Sequence, residues 1–291
     1  MTTLNVRHRT VYRYANPVSF GDHRLMSRPR DSHDLRLLDT SLTVSPTAAV
    51  RWIHDVFGNS IALLSFSGLA DRLTVESQFR AEHFPLETPA ILLEPYAQRL
   101  PFSYAAEEVP DLGRRAERHY PDPEREIDAW AKSFLDDTAG HGTLDVLVAI
   151  THAIKRDFIY AAREEAGTQP PIETLHKRAG SCRDFALLMI EAVRCLGLAA
   201  QFVSGYLYDE KLIGAQGGLI GSGATHAWLQ VYLPGAGWIE FDPTNALVGG
   251  RNLIRVAVAR DASQAVPLAG SFVGKTGDFL GMDVSVEVTA E

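Results

Sequence analysis

Apolar positions in the first 85 residues fall at every second place. Leu4, Val6, His8, Thr10, Tyr12 and Tyr14 alternate with polar or basic residues, the period of a strand that buries one face. Strand-like runs follow at 42–44, 50–57, 61–66 and 73–79, with Gly58-Asn59 as a hairpin turn between two of them. No helical period interrupts them, so residues 1–85 are expected to form an all-β, sandwich-like domain. Prolines 85, 89, 95, 101, 110, 121 and 123 punctuate the next stretch, and 86–123 reads as a connector laid over the surface. The period then lengthens to that of a helix. Ile127, Trp130, Phe134 and Leu135 mark one helix, and Leu144, Leu147, Thr151, Ile154 and Phe158 a second. After Pro170-Pro171, a third follows on Phe185, Leu188, Met189, Ala192 and Leu196, with Gly197 as its stop. Alternation returns at 202–207, at His226, Trp228, Gln230 and Tyr232, and at Trp238, Glu240 and Asp242. Met282, Val284, Val286 and Val288 give one last strand. Helices first and an antiparallel sheet afterwards predict an α+β core over 124–270, followed by a β extension at 271–291.

The third helix has the most informative start. Ser181 and Asp184 have the spacing of a capping box, with Asp184 read as a cap, not a catalyst. With Ser181 as N-cap, Cys182 is the first helical residue, where free N–H groups and the helix dipole favour negative charge. A thiol there can act as a thiolate nucleophile. The dipole contributes about 0.3–1 kcal/mol, and up to about 2, whereas one pKa unit corresponds to about 1.4 kcal/mol. A helix terminus therefore moves a thiol by roughly one unit, and full activation requires a nearby imidazolium.

Of the ten histidines, His226 has the most suggestive surroundings. It opens the strand Thr225-His226-Ala227-Trp228, and the returning strand ends in Asp242-Pro243-Thr244-Asn245. A carboxylate across from the histidine would hold one imidazole nitrogen and leave the other for the thiol. Parity decides whether the two meet. A three-residue loop at 234–236 pairs Leu233 with Gly237 and sets His226 diagonal to Asp242 on one sheet face; a plain four-residue loop separates them. Trp228 and Trp238 are read as packing residues. The glycines at 214–223 suit either a lid over the site or a plain loop.

Composition narrows the setting without changing this picture. The 291 residues, 46% hydrophobic and 22% charged, describe a globular protein with room for two domains. A formal net charge of −8 argues against nucleic acid or an anionic membrane as the main partner. No apolar run has the length of a spanning helix and no signal-peptide pattern opens the chain, so a cytoplasmic location is expected. A homo-oligomer is allowed by the sequence. The two cysteines, Cys182 and Cys195, are 13 positions apart. On one helix that is about 20 Å, too far for a disulfide, and Cys195 reads as a small core residue. Neither a zinc signature nor a nucleotide-binding glycine fingerprint is present, so no metal or cofactor is expected.

Taken in chain order, Gly180-Ser181-Cys182-Arg183-Asp184-Phe185-Ala186, Thr225-His226-Ala227-Trp228 and Asp242-Pro243-Thr244-Asn245 resemble the motifs of the transglutaminase-like superfamily. Spacings of 44 and 16 suit a compact bacterial member. The β-rich start, with residues 25–30 and Asp55-Val56-Phe57-Gly58-Asn59, resembles the N-terminal domain that accompanies such proteins, and residues 259–274 resemble their C-terminal extension. The resemblance implies a papain-like core with Cys182 as nucleophile, His226 as proton shuttle and Asp242 orienting the histidine. It also implies chemistry on amide bonds of a peptide or protein through a thioester. Hydrolysis is the favoured outcome; transfer to an amine, or a non-catalytic binding module that keeps the fold, are the alternatives. The tryptophan that steadies the oxyanion in animal transglutaminases has no counterpart here. Tyr160 is a candidate by position, and the backbone N–H of Cys182 another.

Overall fold

The computed structural model describes residues 2–84, 91–137, 142–162, 167–208 and 219–291. The chain opens with six strands, β1 (Thr2–Phe20), β2 (His23–Arg28), β3 (Leu35–Ser45), β4 (Ala48–His54), β5 (Ser60–Phe66) and β6 (Leu69–His83). A short helix α1 (Glu108–Leu112) precedes α2 (Glu126–Asp137), α3 (Thr143–Asp157), a short strand β7 (Ile159–Tyr160) and α4 (Pro171–Lys177). Then come β8 (Ala179–Gly180), the central helix α5 (Cys182–Cys195), and strands β9 (Ala200–Leu207), β10 (His226–Leu233), β11 (Gly237–Asp242), β12 (Leu247–Val248) and β13 (Leu253–Ala259). Three further strands, β14 (Leu268–Ala269), β15 (Phe272–Val273) and β16 (Phe279–Ala290), return to the N-terminal region.

The expected α+β architecture is present: a strand-rich N-terminal part followed by helices on an antiparallel sheet. One N-terminal sheet runs β15-β1-β6-β3 with β16 also on β1, and a second runs β14-β2-β5-β4. They face each other over Tyr14, Val18, Phe20, Leu25, Leu64, Leu73 and Val75. The alternation in β1 buries Leu4, Val6, His8 and Thr10, as a half-buried strand requires. Those residues do not all face the sandwich. Leu4 and Val6, with Phe79, pack on Tyr206, Tyr208, Ile254 and Val256, so the first sheet covers part of one face of the core sheet.

The core sheet runs β12-β11-β10-β9-β13, and α5 packs on β10 and β9 beside the first sheet on that same face, Phe202 meeting the helix and Tyr206, four residues further along β9, meeting the N-terminal strands. The opposite face buries Trp228 against Val203, Leu207 and Leu253, so nearly all of β10 is buried. The periodicity of α5 predicts one apolar stripe, yet Ala186, Leu187, Ile190 and Val193 are buried as completely as Phe185 and Leu188. Buried Glu191 pairs with Arg194 at 2.9 Å and accepts the backbone N–H groups of His119 and Tyr120. A helix apolar on most sides belongs at the centre of a core. Gly197, with φ +83, ends the helix through Leu198 N–H donating to Val193 O.

Residues 91–123 are more than a surface strap. Ile91, Ala97, Leu100 and Leu112 are buried between the prolines. The N-terminal part is tied to the core through Asn59, whose amide donates to Val258 O at 2.6 Å and accepts from Val258 N–H at 2.9 Å. Asp55 holds that asparagine in place by accepting from its side chain and its backbone.

Candidate active site

The N-terminus of α5 is built by the capping box anticipated between Ser181 and Asp184. Ser181 N–H and Oγ–H both donate to Asp184 Oδ2 at 2.8 Å, and Gln169 N–H donates to Oδ1 at 2.7 Å. Asp184 is fully buried and wholly engaged, so it braces the turn. The chain comes so close there that a Cβ on Gly180 would stand 2.9 Å from that of Asp184. Cys182 follows, 7% exposed, at the first helical position.

His226 and Asp242 meet. Leu233 pairs with Gly237 and Tyr232 with Trp238, so the turn holds three residues and even-numbered side chains of β10 and β11 share a face. His226 Nε2 lies 2.9 Å from Asp242 Oδ2, with both side chains sealed from solvent. Asp242 Oδ1 accepts Thr244 N–H at 2.9 Å, and Oδ2 also accepts Asn245 Nδ2 at 2.8 Å. The His226 ring stacks on Trp228, with centroids 5.9 Å apart. Its other nitrogen, Nδ1, is buried with no oxygen or nitrogen partner among the described residues. Burial opposes a charged imidazole. The Asp242 carboxylate and its hydrogen bond, with Cys182 adding to them, overcome that and raise the His226 pKa to about 10. The imidazole is therefore protonated at neutral pH.

Cys182 and His226 line one cavity of about 260 Å³. Tyr160 lines it too, half-buried and held by the pairing of β7 with β8 opposite Gly180. Burial raises the Tyr160 phenol pKa; a charge on Cys182 adds to this and Arg183 opposes it, so the phenol keeps its O–H. Phe202, Ala262, Val266 and Leu268 make the cavity largely apolar, and His8, Thr10, Tyr12, Met282 and Val284 close its far side.

That far wall is the main feature sequence reasoning missed. His8 and Thr10 read as strand residues of a separate domain, and nothing local signals that β1 and β16 face the cysteine. His8 is held between Tyr206 Oη and Thr10 Oγ1 at 2.9 and 3.1 Å, and burial lowers its pKa to about 4. Asn245 stands in a motif already singled out, but its role was not legible. It binds Asp242 and also clasps Ile220 through both backbone groups. In the glycine-rich loop, residues 214–218 lie outside the described residues. Gly221 is described, and rests against the imidazole so closely that a Cβ would lie 2.6 Å from His226 Nδ1.

Trp228 is packed as expected, fully buried with its indole N–H on Glu240. Cys195 is a free thiol whose pKa burial pushes up to about 11. Among the described residues no group of three or more His, Cys, Asp or Glu is arranged to hold a metal ion, and no helix is long and apolar enough to cross a membrane.

Comparison with known proteins finds relatives of this fold. Residues 4–82 match the family model described as the bacterial transglutaminase-like N-terminal region, and residues 129–243 match the model of the transglutaminase-like superfamily. An uncharacterized protein of Mycobacterium bovis is 33% identical over 300 residues, covering 97% of this chain and 91% of its own length. An uncharacterized protein of Mycobacterium leprae is 28% identical over 99% of both chains. Among solved structures, a candidate cysteine protease from Cytophaga hutchinsonii superposes with a TM-score of 0.74 at 20% identity, covering 99% of this chain and 90% of that one. At that identity the likeness shows the fold.

Proposed function

Because the chain belongs to the transglutaminase-like superfamily, we propose that it is a cysteine-dependent amide-bond hydrolase, a peptidase or amidase acting on a peptide or protein. The observation that carries this reading is the sealed His226–Asp242 pair at 2.9 Å on the wall of the cavity that Cys182 also lines.

In this mechanism Cys182 Sγ attacks the scissile carbonyl carbon as a thiolate beside the His226 imidazolium. The C=O π bond opens and its electron pair becomes an oxyanion. The N–H groups of the first α5 turn and the O–H of Tyr160, which lines the same cavity, are the donors assigned to steady it. His226 passes its proton to the amine as the C–N bond breaks, leaving a thioester on Cys182. Water then attacks the thioester with His226 taking its proton, and the collapse returns the thiolate and releases the acid. Asp242 keeps the imidazole oriented through Nε2.

The cavity supports water over lysine as the acyl acceptor. Among its described lining residues there is no carboxylate to receive an ammonium group, and Arg183 adds a positive charge there. The free thiols of Cys182 and Cys195 support placing the reaction in a reducing compartment such as the cytosol.

Iodoacetamide labelling of the intact protein near pH 7 tests the reading. Cys182 should react far faster than an ordinary thiol, while Cys195 serves as an unreactive internal reference. If His226→Ala leaves the Cys182 rate unaltered, the activated-nucleophile assignment fails. Trapping the acyl-enzyme with a peptide library, then adding water alone or a primary amine, separates hydrolysis from transfer by the mass of the product.

A further inference from the structure

Arg183 is the residue after the nucleophile, and it lines the same cavity. Its side chain is only partly exposed, and among the described residues no carboxylate or hydrogen-bond acceptor engages it. Arg28, equally half-buried, also lacks a carboxylate partner but lies over the Trp52 ring, whereas other half-buried or buried arginines are paired. Arg24 pairs with Asp55, Arg194 with Glu191, and Arg255 with both Asp34 and Glu240. The neighbouring carboxylate, Asp184, is buried and saturated by Ser181 and Gln169. A guanidinium kept partly out of water without a counter-charge costs stability, and a binding site is where that cost serves a purpose.

The chemistry of the free group is specific. A guanidinium presents a planar fork of donors that matches a carboxylate in two parallel hydrogen bonds. The α5 N-terminus adds positive potential in the same place. The rest of the described lining is apolar or neutral apart from His226, so nothing there competes for an incoming anion.

We propose that Arg183 is a specificity residue that holds a carboxylate of the acyl substrate beside Cys182, so that the preferred substrates are amides carrying a free carboxylate within a few bonds of the scissile carbonyl. This rests on the hydrolase reading above and adds a substrate class to it. An acidic side chain and a free chain terminus supply the same group.

Two alkylating agents separate this assignment from the hydrolase reading. Iodoacetate and iodoacetamide are close in size and differ by one negative charge. The absolute iodoacetamide rate at Cys182 reports on the nucleophile, and the iodoacetate-to-iodoacetamide ratio reports on the cation beside it. Arg183→Gln should lower that ratio about tenfold, the order expected for a local field acting on a charged reagent, and Arg183→Lys should restore most of it. An equal ratio in wild type and Arg183→Gln overturns the assignment, however fast iodoacetamide reacts.

Peptide pairs then identify the source of the carboxylate. One pair compares a Glu or Asp side chain with its amide near the cleaved bond, and the other a free with an amidated C-terminus. Wild type should prefer one carboxylate member by about tenfold in kcat/KM, carried mainly by KM, and Arg183→Gln should erase that preference. Equal rates within both pairs would also overturn it.

Discussion

Leu233 stands directly opposite Gly237 across the turn at Pro234, Gly235 and Ala236. That one pairing fixes the parity of the whole hairpin. It places Trp228 opposite Asp242, sets His226 one step diagonal from the carboxylate, and keeps both on the face where they bond. A register displaced by one residue would send the Asp242 side chain to the opposite face.

Asp242 supplies the charge that outweighs the burial of His226. Asp242→Asn keeps the size and removes that charge, so the imidazole should become neutral at pH 7 and cease to support a thiolate. Turnover should fall by about a hundredfold or more. The pH–rate profile of Cys182 alkylation checks this, and a profile superimposable on wild type would refute it.

Asn245 should act through Asp242. Asn245→Ala removes one hydrogen bond to a buried carboxylate and frees the backbone of Ile220. Bonds to charged groups contribute about 1.5–3 kcal/mol, so kcat should fall by about tenfold or more. If Asn245 instead only stabilises the fold, the alkaline limb of the rate profile will keep its position; a downward displacement marks a weakened Asp242–His226 pair.

Gly221 meets two demands at once, a φ of +97 and contact with the imidazole. Gly221→Ala should destabilise the protein by about 1–3 kcal/mol. It should also slow Cys182 alkylation, because the new methyl group can be accommodated only by displacing the ring. Loss of thermal stability with full thiol reactivity would show that the contact has no bearing on the site.

The two buried histidines give opposite pH signatures. His8 has a folded pKa lowered to about 4 by burial. Below its ordinary value of 6.5 the unfolded chain takes up a proton that the folded one refuses, so stability is lost as pH falls from about 6.5 toward 4. For His226, raised to about 10, the proton is held by the folded state. Its contribution is complete below 6.5 and disappears as pH rises toward 10. Urea unfolding across pH 4–10 should show the acid-side slope reduced in His8→Gln and the alkaline-side slope reduced in His226→Gln. The reverse assignment of slopes would contradict both shifts.

Several features were legible in the residues alone because their causes are local. The capping box of Ser181 and Asp184, the stop at Gly197 and the three helical stripes depend on neighbours within a turn or two. The two-residue period marks β1, β10 and β11 because side chains on a strand must alternate. Motif spacing then brought Cys182, His226 and Asp242 together as candidates. The sequence left the parity of the hairpin open, since a three- and a four-residue turn at Pro234 were equally writable. It also could not reveal what stands across from the cysteine. Only the tertiary structure decided that β1 and β16, more than a hundred positions from one another along the chain, would bring His8, Thr10, Met282 and Val284 to the cavity. The physical reason is that alternation specifies which face of a strand is buried but not against what. Asn59 on Val258, and Leu4 and Val6 on Tyr206, made that choice.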